Sequence, residues 1–383
     1  MTLTPPLGVY VHWPFCARVC PYCDFNVVRD RGQTGRQAAL VDAIVQDLKA
    51  QRDITGPRTL VSIFLGGGTP SLMDPSWTGR VIEAAAALWD AEPDLEVTLE
   101  ANPTDAEAER FAGFAAAGVN RLSLGAQSFD DEALAFLGRN HSAAEALRAA
   151  EAASAAFPRT SIDMIYARPG QDAGAWTQDL ETAVALGPEH ISPYQLTIES
   201  GTAFGRAVER GRWKPPEPDL AAELYAATQQ VLEARGFEAY EVSNHARGEA
   251  ARSRHNLIYW RGHDYLGVGP GAHGRITLPT GRIATRAAAG VDDYRRRVEE
   301  TGCGWETRED LSPVEAAEER LLTGLRTVEG VALADLEPLG LSGTTGRLTQ
   351  LVDAGLLTLT ADTLTATPTG RLVLDRVTAE LAA

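Results

Sequence analysis

Three of the four cysteines in this 383-residue chain lie within eight residues, as Cys16-x3-Cys20-x2-Cys23. Thiolates at these offsets on one tight loop can converge on a single metal centre. Three thiolates leave one iron of a 4Fe-4S cluster without a protein ligand, so a small molecule could chelate that iron and accept an electron. Zinc is the alternative, because His12 could complete a Cys3His set, although structural zinc usually takes its ligands as separated pairs.

A second set of candidate ligands lies further along the chain, where four of the seven histidines fall between residues 245 and 273. Imidazole is a common axial ligand of haem iron, and aromatic rings with glycine backbone suit a flat porphyrin face. The alternative is structural, with these side chains serving the loop and the core. The residues concerned are His245, His255, His263 and His273, interleaved with Tyr259, Trp260 and Tyr265 and with Gly262, Gly267, Gly269 and Gly271.

Six short apolar runs predict the strands that would position these groups, at residues 9–13, 60–65, 96–100, 121–124, 161–165 and 190–196. Segments of helical period separate them, at 37–51, 76–89, 105–117, 143–157 and 173–186. Alternating strands and helices imply a parallel sheet, whose ligands gather at the carboxyl ends of the strands. Polar or glycine-rich sequence follows three of the strands, at 66–70, 100–103 and 125–128.

Two boundaries divide the chain into regions 1–215, 216–311 and 312–383. The first is the proline cluster at 214–218, and the second is Ser312-Pro313-Val314-Glu315, which has the N-cap, first-turn proline and N3 glutamate of a helix start. Helices followed by a hairpin at 356–360 and 363–366 predict an α+β winged-helix-like domain. Its five arginines and no lysine face ten acidic residues, so packing or partner docking is favoured over DNA binding.

The composition, 44% hydrophobic and 23% charged, is that of a folded protein. A formal net charge of −17 repels phosphate backbones, so we expect no nucleic-acid partner. No stretch reaches eighteen uninterrupted apolar residues, and the first ten residues lack a basic and apolar signal-peptide pattern. We therefore expect a cytoplasmic protein without a transmembrane segment.

The cysteine loop, followed by Asp24-Phe25-Asn26, resembles that of the radical S-adenosylmethionine (SAM) superfamily. Further motifs follow in order and are similar to the branch that contains oxygen-independent coproporphyrinogen III dehydrogenases and HemW-type haem chaperones. These motifs are Gly66-Gly67-Gly68-Thr69-Pro70-Ser71, Glu100-Ala101-Asn102-Pro103, Ser123-Leu124-Gly125-Ala126-Gln127-Ser128, Leu137-Gly138-Arg139 and Asp163-Met164-Ile165-Tyr166. The resemblance implies a partial (β/α)6 TIM-like barrel of the radical SAM type.

The resemblance also implies roles for individual residues. A 4Fe-4S cluster would be held by Cys16, Cys20 and Cys23, with SAM on its open iron. The residues that would contact SAM are Tyr10, Tyr22, Gly68, Thr69, Pro70, Glu100, Gln127, Arg139 and Asp163. One departure is Ala167-Arg168, where the family usually has Gly-Leu, which predicts a changed loop after the fifth strand.

Two features favour the chaperones over the decarboxylating enzymes. Phe25 stands where the enzymes carry a fourth cysteine, and only fifteen residues precede Cys16 where the enzymes carry an extension. The segment His255-Asn256-Leu257-Ile258-Tyr259-Trp260 resembles a haem-linked motif of the chaperones, with His255 as ligand. Under the structural alternative, His255 and Asn256 bond loop backbone groups, and Tyr259 and Trp260 close the bottom of the barrel.

The resemblance thus implies a haem chaperone that binds a 4Fe-4S cluster and SAM, takes haem as cargo and transfers it to acceptor haemoproteins. A flavodoxin- or ferredoxin-like electron donor is the further expected partner, and we expect no turnover of a porphyrinogen. Two alternatives remain open at this stage. One is a coproporphyrinogen III dehydrogenase, and the other is a zinc-stabilised interaction protein.

Overall fold

The computed structural model describes residues 5–382, so the first four residues of the first predicted region and the last residue of the third lie outside it. In chain order the strands are β1 (Leu7–Trp13), β2 (Phe15–Cys16), β3 (Val28–Arg29), β4 (Thr59–Gly67), β5 (Asp90–Ala101), β6 (Arg121–Gln127), β7 (Arg159–Tyr166), β8 (His190–Gln195), β9 (Glu238–Glu241), β10 (Asn244–Ala246), β11 (Asp264–Val268), β12 (His273–Leu278), β13 (Gly281–Ala287), β14 (Trp305–Asp310), β15 (Val331–Ala332), β16 (Leu357–Leu359) and β17 (Thr363–Ala366).

Helices follow most of the central strands. They are α1 (Thr34–Thr55), α2 (Pro75–Leu88), α3 (Asp105–Ala108), α4 (Phe111–Ala116), α5 (Asp131–Phe136), α6 (Ala143–Ala156), α7 (Ala173–Ala185), α8 (Ala203–Glu209), α9 (Pro218–Ala234), α10 (Arg254–Trp260), α11 (Val291–Thr301), α12 (Pro313–Gly324), α13 (Gly346–Asp353), α14 (Pro368–Arg371) and α15 (Leu374–Ala382).

The main sheet has the strand order β14-β13-β12-β11-β1-β4-β5-β6-β7-β8-β10-β9. Strands β1 and β4 to β8 are the six predicted strands and run parallel to one another. A seventh parallel strand, β11, pairs with β1, and antiparallel strands extend the sheet at both edges. The predicted α/β barrel fold is confirmed, and the region 216–311 supplies the strands at both of its edges.

The core lies between the sheet and its helices. Strand residues that face away from the barrel lumen, such as Val9, Ile63 and Leu122, are buried against helix residues such as Leu40 and Trp176. Each fully buried side chain of this kind stabilises the fold by about 1.5–3 kcal/mol. The alternate strand positions face the lumen and are largely polar.

One predicted helix differs from the structure. The segment 105–117 is interrupted between α3 and α4, so the prediction of one continuous helix is wrong. Arg110 lies at the break and uses its guanidinium to donate to the carbonyl groups of Ser71 and Met73. These hydrogen bonds fix Arg110 against the loop after β4, in a position that is incompatible with one continuous helix.

The C-terminal region has a hydrophobic core of its own. Helix α12 begins with the predicted capping box, in which Ser312 and Glu315 bond each other's backbone N–H groups. Strands β16 and β17 form the predicted hairpin. The division at 215 and 311 stays a prediction. Within residues 5–382, no helix is both long and apolar enough to cross a membrane.

Candidate functional site

The cysteine loop lies at the carboxyl end of β1 and is fixed at both ends. Its two ends pair as the short parallel strands β2 and β3. The Gly68 and Thr69 N–H groups donate to the carbonyls of Trp13 and Phe15 at 2.7 and 2.9 Å. Gly138, at φ +67°, allows the loop to pack closely, because a Cβ there would lie 2.5 Å from Pro21 Cδ. The glycine-rich and Leu137-Gly138-Arg139 motifs therefore position the three thiols.

Arg139 connects the cysteine loop with the ends of β5 and β6. Its Nη1 lies 3.5 Å from Cys20 Sγ and 3.4 Å from Tyr22 OH. Its Nη2 donates to Asn102 Oδ1 at 2.5 Å and to the Gly125 carbonyl at 2.9 Å. A buried guanidinium next to thiols favours their thiolate form, which is the form that binds metal.

Two carboxyl groups lie deeper, on β5 and β7. Glu100 Oε2 accepts a hydrogen bond from Gly67 N–H at 3.0 Å, and Gly67 has the left-handed φ of +105° that favours glycine. Asp163 accepts from Ser123 at 2.8 Å and from Ser161 at 3.3 Å. Burial, with the nearby Asp163 carboxylate, raises the pKa of Glu100 to about 7, and burial also raises the pKa of Asp163.

One cavity of about 530 Å³ collects most of the predicted site residues. This volume is typical of a small-molecule or cofactor site. The predicted residues that line it are Cys16, Cys20, Cys23, Tyr22, Gly68, Thr69, Glu100, Gln127, Arg139, Asp163 and Asn256. Pro70 starts a short 3-10 helix beside it, and the Tyr10 hydroxyl shares a hydrogen bond with His12 Nδ1 at 3.0 Å.

Backbone strain is concentrated at the same edge of the barrel. Gln127 and Ala167 are the non-glycine residues with positive φ in the described chain, at +67° and +61°. Such strain persists where the surroundings impose it and often marks functional sites. Ala167 keeps a conformation that favours glycine, although the sequence has alanine there.

Two of the three thiols lie in surroundings that disfavour their charged forms. Burial raises the pKa of Cys16 to about 11 and also raises that of Cys23, with the neighbouring thiols adding to both shifts. A bound cationic metal centre would reverse this, because coordinated thiols lose their protons. In the part of the chain described, no group of three or more His, Cys, Asp or Glu side chains is arranged to hold one metal ion. Both ring nitrogens of His12 are engaged, by the Tyr10 hydroxyl and the Asn26 carbonyl, so zinc ligation would require one of these bonds to break.

The sequence predictions assigned no role to several of the strand residues that line this cavity. These residues face the lumen, and they are Phe64, Arg121, Ser123, Ser192 and Tyr194. The signal was available in the strand period of two. Counting back from Gln127 gives Gly125, Ser123 and Arg121 on one face of β6.

Helix α10, which carries the candidate haem motif, lies under the lumen. Buried His255 shares hydrogen bonds with Ser62 Oγ at 2.9 Å through Nδ1 and with Tyr259 OH at 2.7 Å through Nε2. Its ring stacks on Phe64 with centroids 5.0 Å apart. Burial lowers its pKa to about 3, so the imidazole is neutral. Both ring nitrogens have partners within the protein.

The other members of the motif have different surroundings. Asn256 lines the cavity, whereas Trp260 lies against the C-terminal region, with the Arg326 guanidinium 4.8 Å from its ring. Of the other histidines in the segment, His245 is buried and shares a 3.2 Å hydrogen bond with Gln229, and His273 is exposed. The structure therefore does not bring the four histidines together around one centre.

Comparisons with known proteins agree with this arrangement. The sequence profile of the Radical SAM superfamily matches residues 10–183, and that of the HemN C-terminal domain matches residues 311–373. The chain is 42% identical over 381 residues to the mitochondrial Radical S-adenosyl methionine domain-containing protein 1 of Bos taurus, covering 96% of this chain and 85% of the relative. It is 40% identical over 288 residues to the heme chaperone HemW of Haemophilus influenzae, covering 74% of each.

The fold is similar to that of a solved structure. Coproporphyrinogen III oxidase (HemN) from Escherichia coli, described as a radical SAM enzyme, superposes with a TM-score of 0.81. The superposition covers 99% of this chain and 91% of that chain, at 21% sequence identity. At this identity the likeness establishes the fold alone.

Proposed function

This chain belongs to the radical SAM superfamily and, within it, to the HemW-type proteins, and we propose that it is a haem chaperone that carries a 4Fe-4S cluster and SAM. The relatives named as heme chaperones support the cargo. The observation that carries the cofactor part is one cavity that joins three cysteines of one loop to residues near the carboxyl ends of five strands, β4 to β8. Neither the loop nor the strand ends alone would form it.

In this proposal Cys16, Cys20 and Cys23 hold the cluster. SAM occupies the cavity below it, in contact with the residues that the family resemblance implies. Gly67 N–H fixes the Glu100 carboxyl, and Arg139 holds the loop against β5 and β6. When bound, the cluster and SAM together supply one-electron chemistry, and the protein supplies orientation and a site shielded from water.

Haem binding is proposed at helix α10 through His255, Asn256, Tyr259 and Trp260. Because both nitrogens of His255 have partners, ligation requires the imidazole to give up one of them, and Tyr259 is the partner on the same helix. The acceptor haemoproteins, a flavodoxin- or ferredoxin-like donor and a cytoplasmic location belong to the same proposal. Relatives with mitochondrial names show that location varies within the family.

Anaerobic reconstitution tests the cofactor part. We expect about four irons and four sulfides per chain in the wild type, as in a 4Fe-4S cluster, and a change in the cluster's electron paramagnetic resonance signal on addition of SAM. A protein that takes up one zinc and no iron under these conditions would contradict the proposal. The SAM response should be lost in Asp163→Ala, with Asp292→Ala, an exposed carboxylate, as the matched control.

Haem transfer tests the cargo part. Cluster-loaded protein with bound haem is mixed with an apo-haemoprotein, and the Soret band of the acceptor is followed. We expect haem uptake by the chain, followed by transfer. Formation of decarboxylated product from coproporphyrinogen III with SAM and a reductant would instead establish the dehydrogenase alternative.

A further inference from the structure

The lower part of the barrel lumen contains a buried arginine to which no acceptor among the described residues is hydrogen bonded. Arg121 is 2% exposed and lines the same cavity as the cysteines, on the amino-terminal side of Ser123 and Gln127. Its Nε is buried without a hydrogen-bond partner. Among residues 5–382, no side-chain hydrogen bond or ion pair engages its guanidinium. The nearby carboxyl groups of Glu96 and Asp163 interact with its charge, and this charge lowers the pKa of both against the raising effect of burial, but neither accepts a hydrogen bond from it. Buried donors without acceptors are costly, so the guanidinium is suited to a ligand that accepts hydrogen bonds.

The carboxylates around Arg121 have other partners. Glu96 accepts from Arg159 Nη1 at 2.7 Å and from the backbone N–H groups of Arg254 and His255 at 3.1 and 3.0 Å. Asp163 is bonded to Ser123 and Ser161. The other titratable groups that face Arg121 are His190, His255 and Tyr240, and burial keeps both imidazoles neutral. The guanidinium therefore keeps its donors for a molecule that enters the lumen.

The floor of this space is polar and suits a second hydrogen-bonding ligand. Asn256 lines the cavity from helix α10 under the lumen, and Ser192 and Tyr194 line it above Arg121, beside Asp163 and Ile165 of β7. From Gln127 to Arg121 the strand spans roughly 20 Å, so the guanidinium lies well below the strand ends where the cysteine loop sits. A guanidinium binds a carboxylate through two parallel hydrogen bonds, which adds geometric specificity.

We propose that Arg121 is a carboxylate-binding residue and that the lower lumen holds a carboxylate-bearing ligand beneath the SAM end of the cavity. The inference rests on the proposed function only for the position of SAM. The carboxylate has two possible sources, a propionate arm of a tetrapyrrole or a free small organic acid. The cavity volume favours entry of a carboxylate arm over entry of a whole macrocycle beside SAM.

The test uses cluster-loaded protein with SAM and three probes, namely haem, haem dimethyl ester and glutarate. The variants are Arg121→Met, which removes the charge, and Arg121→Lys, which keeps a cation and loses the planar fork. Arg80→Met is the matched control, because Arg80 pairs with Asp42 at the surface. Haem is followed by its Soret band and glutarate by calorimetry. Cluster content and circular dichroism show that each variant is folded.

If the carboxylate belongs to a tetrapyrrole, haem should bind at least ~10-fold more weakly to Arg121→Met than to wild type, as expected for a lost charged hydrogen bond. Haem dimethyl ester, whose carboxylates are blocked, should bind wild type and Arg121→Met equally. For a free acid, glutarate should bind wild type and not Arg121→Met, with haem unaffected. If Arg121→Met does not fold, Arg121→Lys should still weaken the same probe at least ~3-fold.

The proposal is overturned if every probe binds wild type and both Arg121 variants alike, or if neither haem nor glutarate binds wild type. Failure of the proposed function is a separate result. Absence of haem binding by wild type, with glutarate still dependent on Arg121, would remove the chaperone proposal and leave the carboxylate site standing.

Discussion

The cysteine loop and helix α10 lie at opposite ends of one lumen, and their metal-binding side chains are in contrasting states. Burial disfavours the thiolate forms of Cys16 and Cys23, and the Arg139 charge offsets this only in part, so the two thiols stay protonated without a metal centre. His255 is more deeply buried, yet Ser62 and Tyr259 satisfy both of its nitrogens. The cysteine loop has free thiols that can bind a metal centre directly. In helix α10, His255 must lose one of its hydrogen bonds before it can bind a metal. Residue type alone does not distinguish these states.

The largest expected effect concerns the cysteine loop. Cys16→Ser should lower the iron and sulfide content after anaerobic reconstitution by at least ~10-fold, because a three-thiolate site has no spare protein ligand. Cys303→Ser should retain wild-type content, since Cys303 lies by Asp47 and Tyr294, outside the cavity. Equal loss in both variants would mean that misfolding, and not ligand removal, explains the result.

The second prediction concerns the contribution of the 245–273 segment to the stability of the fold. Asp264 is fully buried and pairs with Arg58 at 2.9 Å and with Arg282 at 3.1 Å. Asp264→Ala leaves a buried guanidinium unpaired and should reduce the free energy of unfolding by about 3–5 kcal/mol in denaturant titrations. Asp292→Ala, at an exposed pair, should change it by less than ~1 kcal/mol. If Asp264→Ala changes the free energy of unfolding only slightly, the 245–273 segment contributes little to stability and a purely ligand-binding role is favoured.

Much of the fold and part of the site could be predicted from the sequence, and the reasons are physical. Strands and helices have distinct hydrophobic periods, and polar residues at the ends of parallel strands meet at one edge, so Glu100 and Gln127 could be expected to share a cavity, as they do. The family resemblance supplied their roles. The break at Arg110 was not predicted, because it depends on carbonyl groups nearly forty residues away in the chain.

The partners of His255 were beyond a linear pattern for the same reason. Ser62 lies on β4, almost two hundred residues earlier, and reaches His255 only after β11 joins the sheet beside β1. Arg121 lies at the start of a predicted strand, and its lack of a partner depends on where Glu96 and Asp163 place their oxygens. Sequence periodicity indicates which face of a strand a residue occupies. Which polar groups pair across the lumen can be determined only from the structure.

The third prediction uses the raised pKa of Glu100. Its folded pKa of about 7 exceeds the ordinary 4.5, so the folded state holds the proton more tightly than the unfolded state. Stability contributed by this group is therefore present below pH 4.5 and falls as the pH rises towards 7. Glu100→Gln abolishes this titration, so its stability relative to wild type should rise by roughly 2 kcal/mol between pH 5 and pH 8 without SAM.

Denaturant unfolding of both proteins at pH 5, 6.5 and 8 measures this difference. Glu306→Gln, at an exposed pair with Arg286, serves as the control and should show no such trend. Saturating SAM, a cation, should reduce the pH dependence of the wild type by stabilising the carboxylate. A pH-independent difference for Glu100→Gln would show that the Glu100 carboxyl is ionised throughout this range, contrary to its environment in the lumen.

The smallest expected effect concerns Tyr259, and it asks directly whether the satisfied imidazole can become a ligand. Tyr259→Phe removes the hydroxyl that occupies His255 Nε2, so the free energy of unfolding should fall by about 1 kcal/mol. If His255 ligates haem, the same change removes the bond that must break, and haem affinity should rise by up to about fivefold. Tyr265→Phe is the matched control, because its ring packs on Tyr259 without bonding His255. Weaker or unchanged haem binding in Tyr259→Phe, with full binding in His255→Ala, would assign both residues to the barrel framework and place the haem elsewhere.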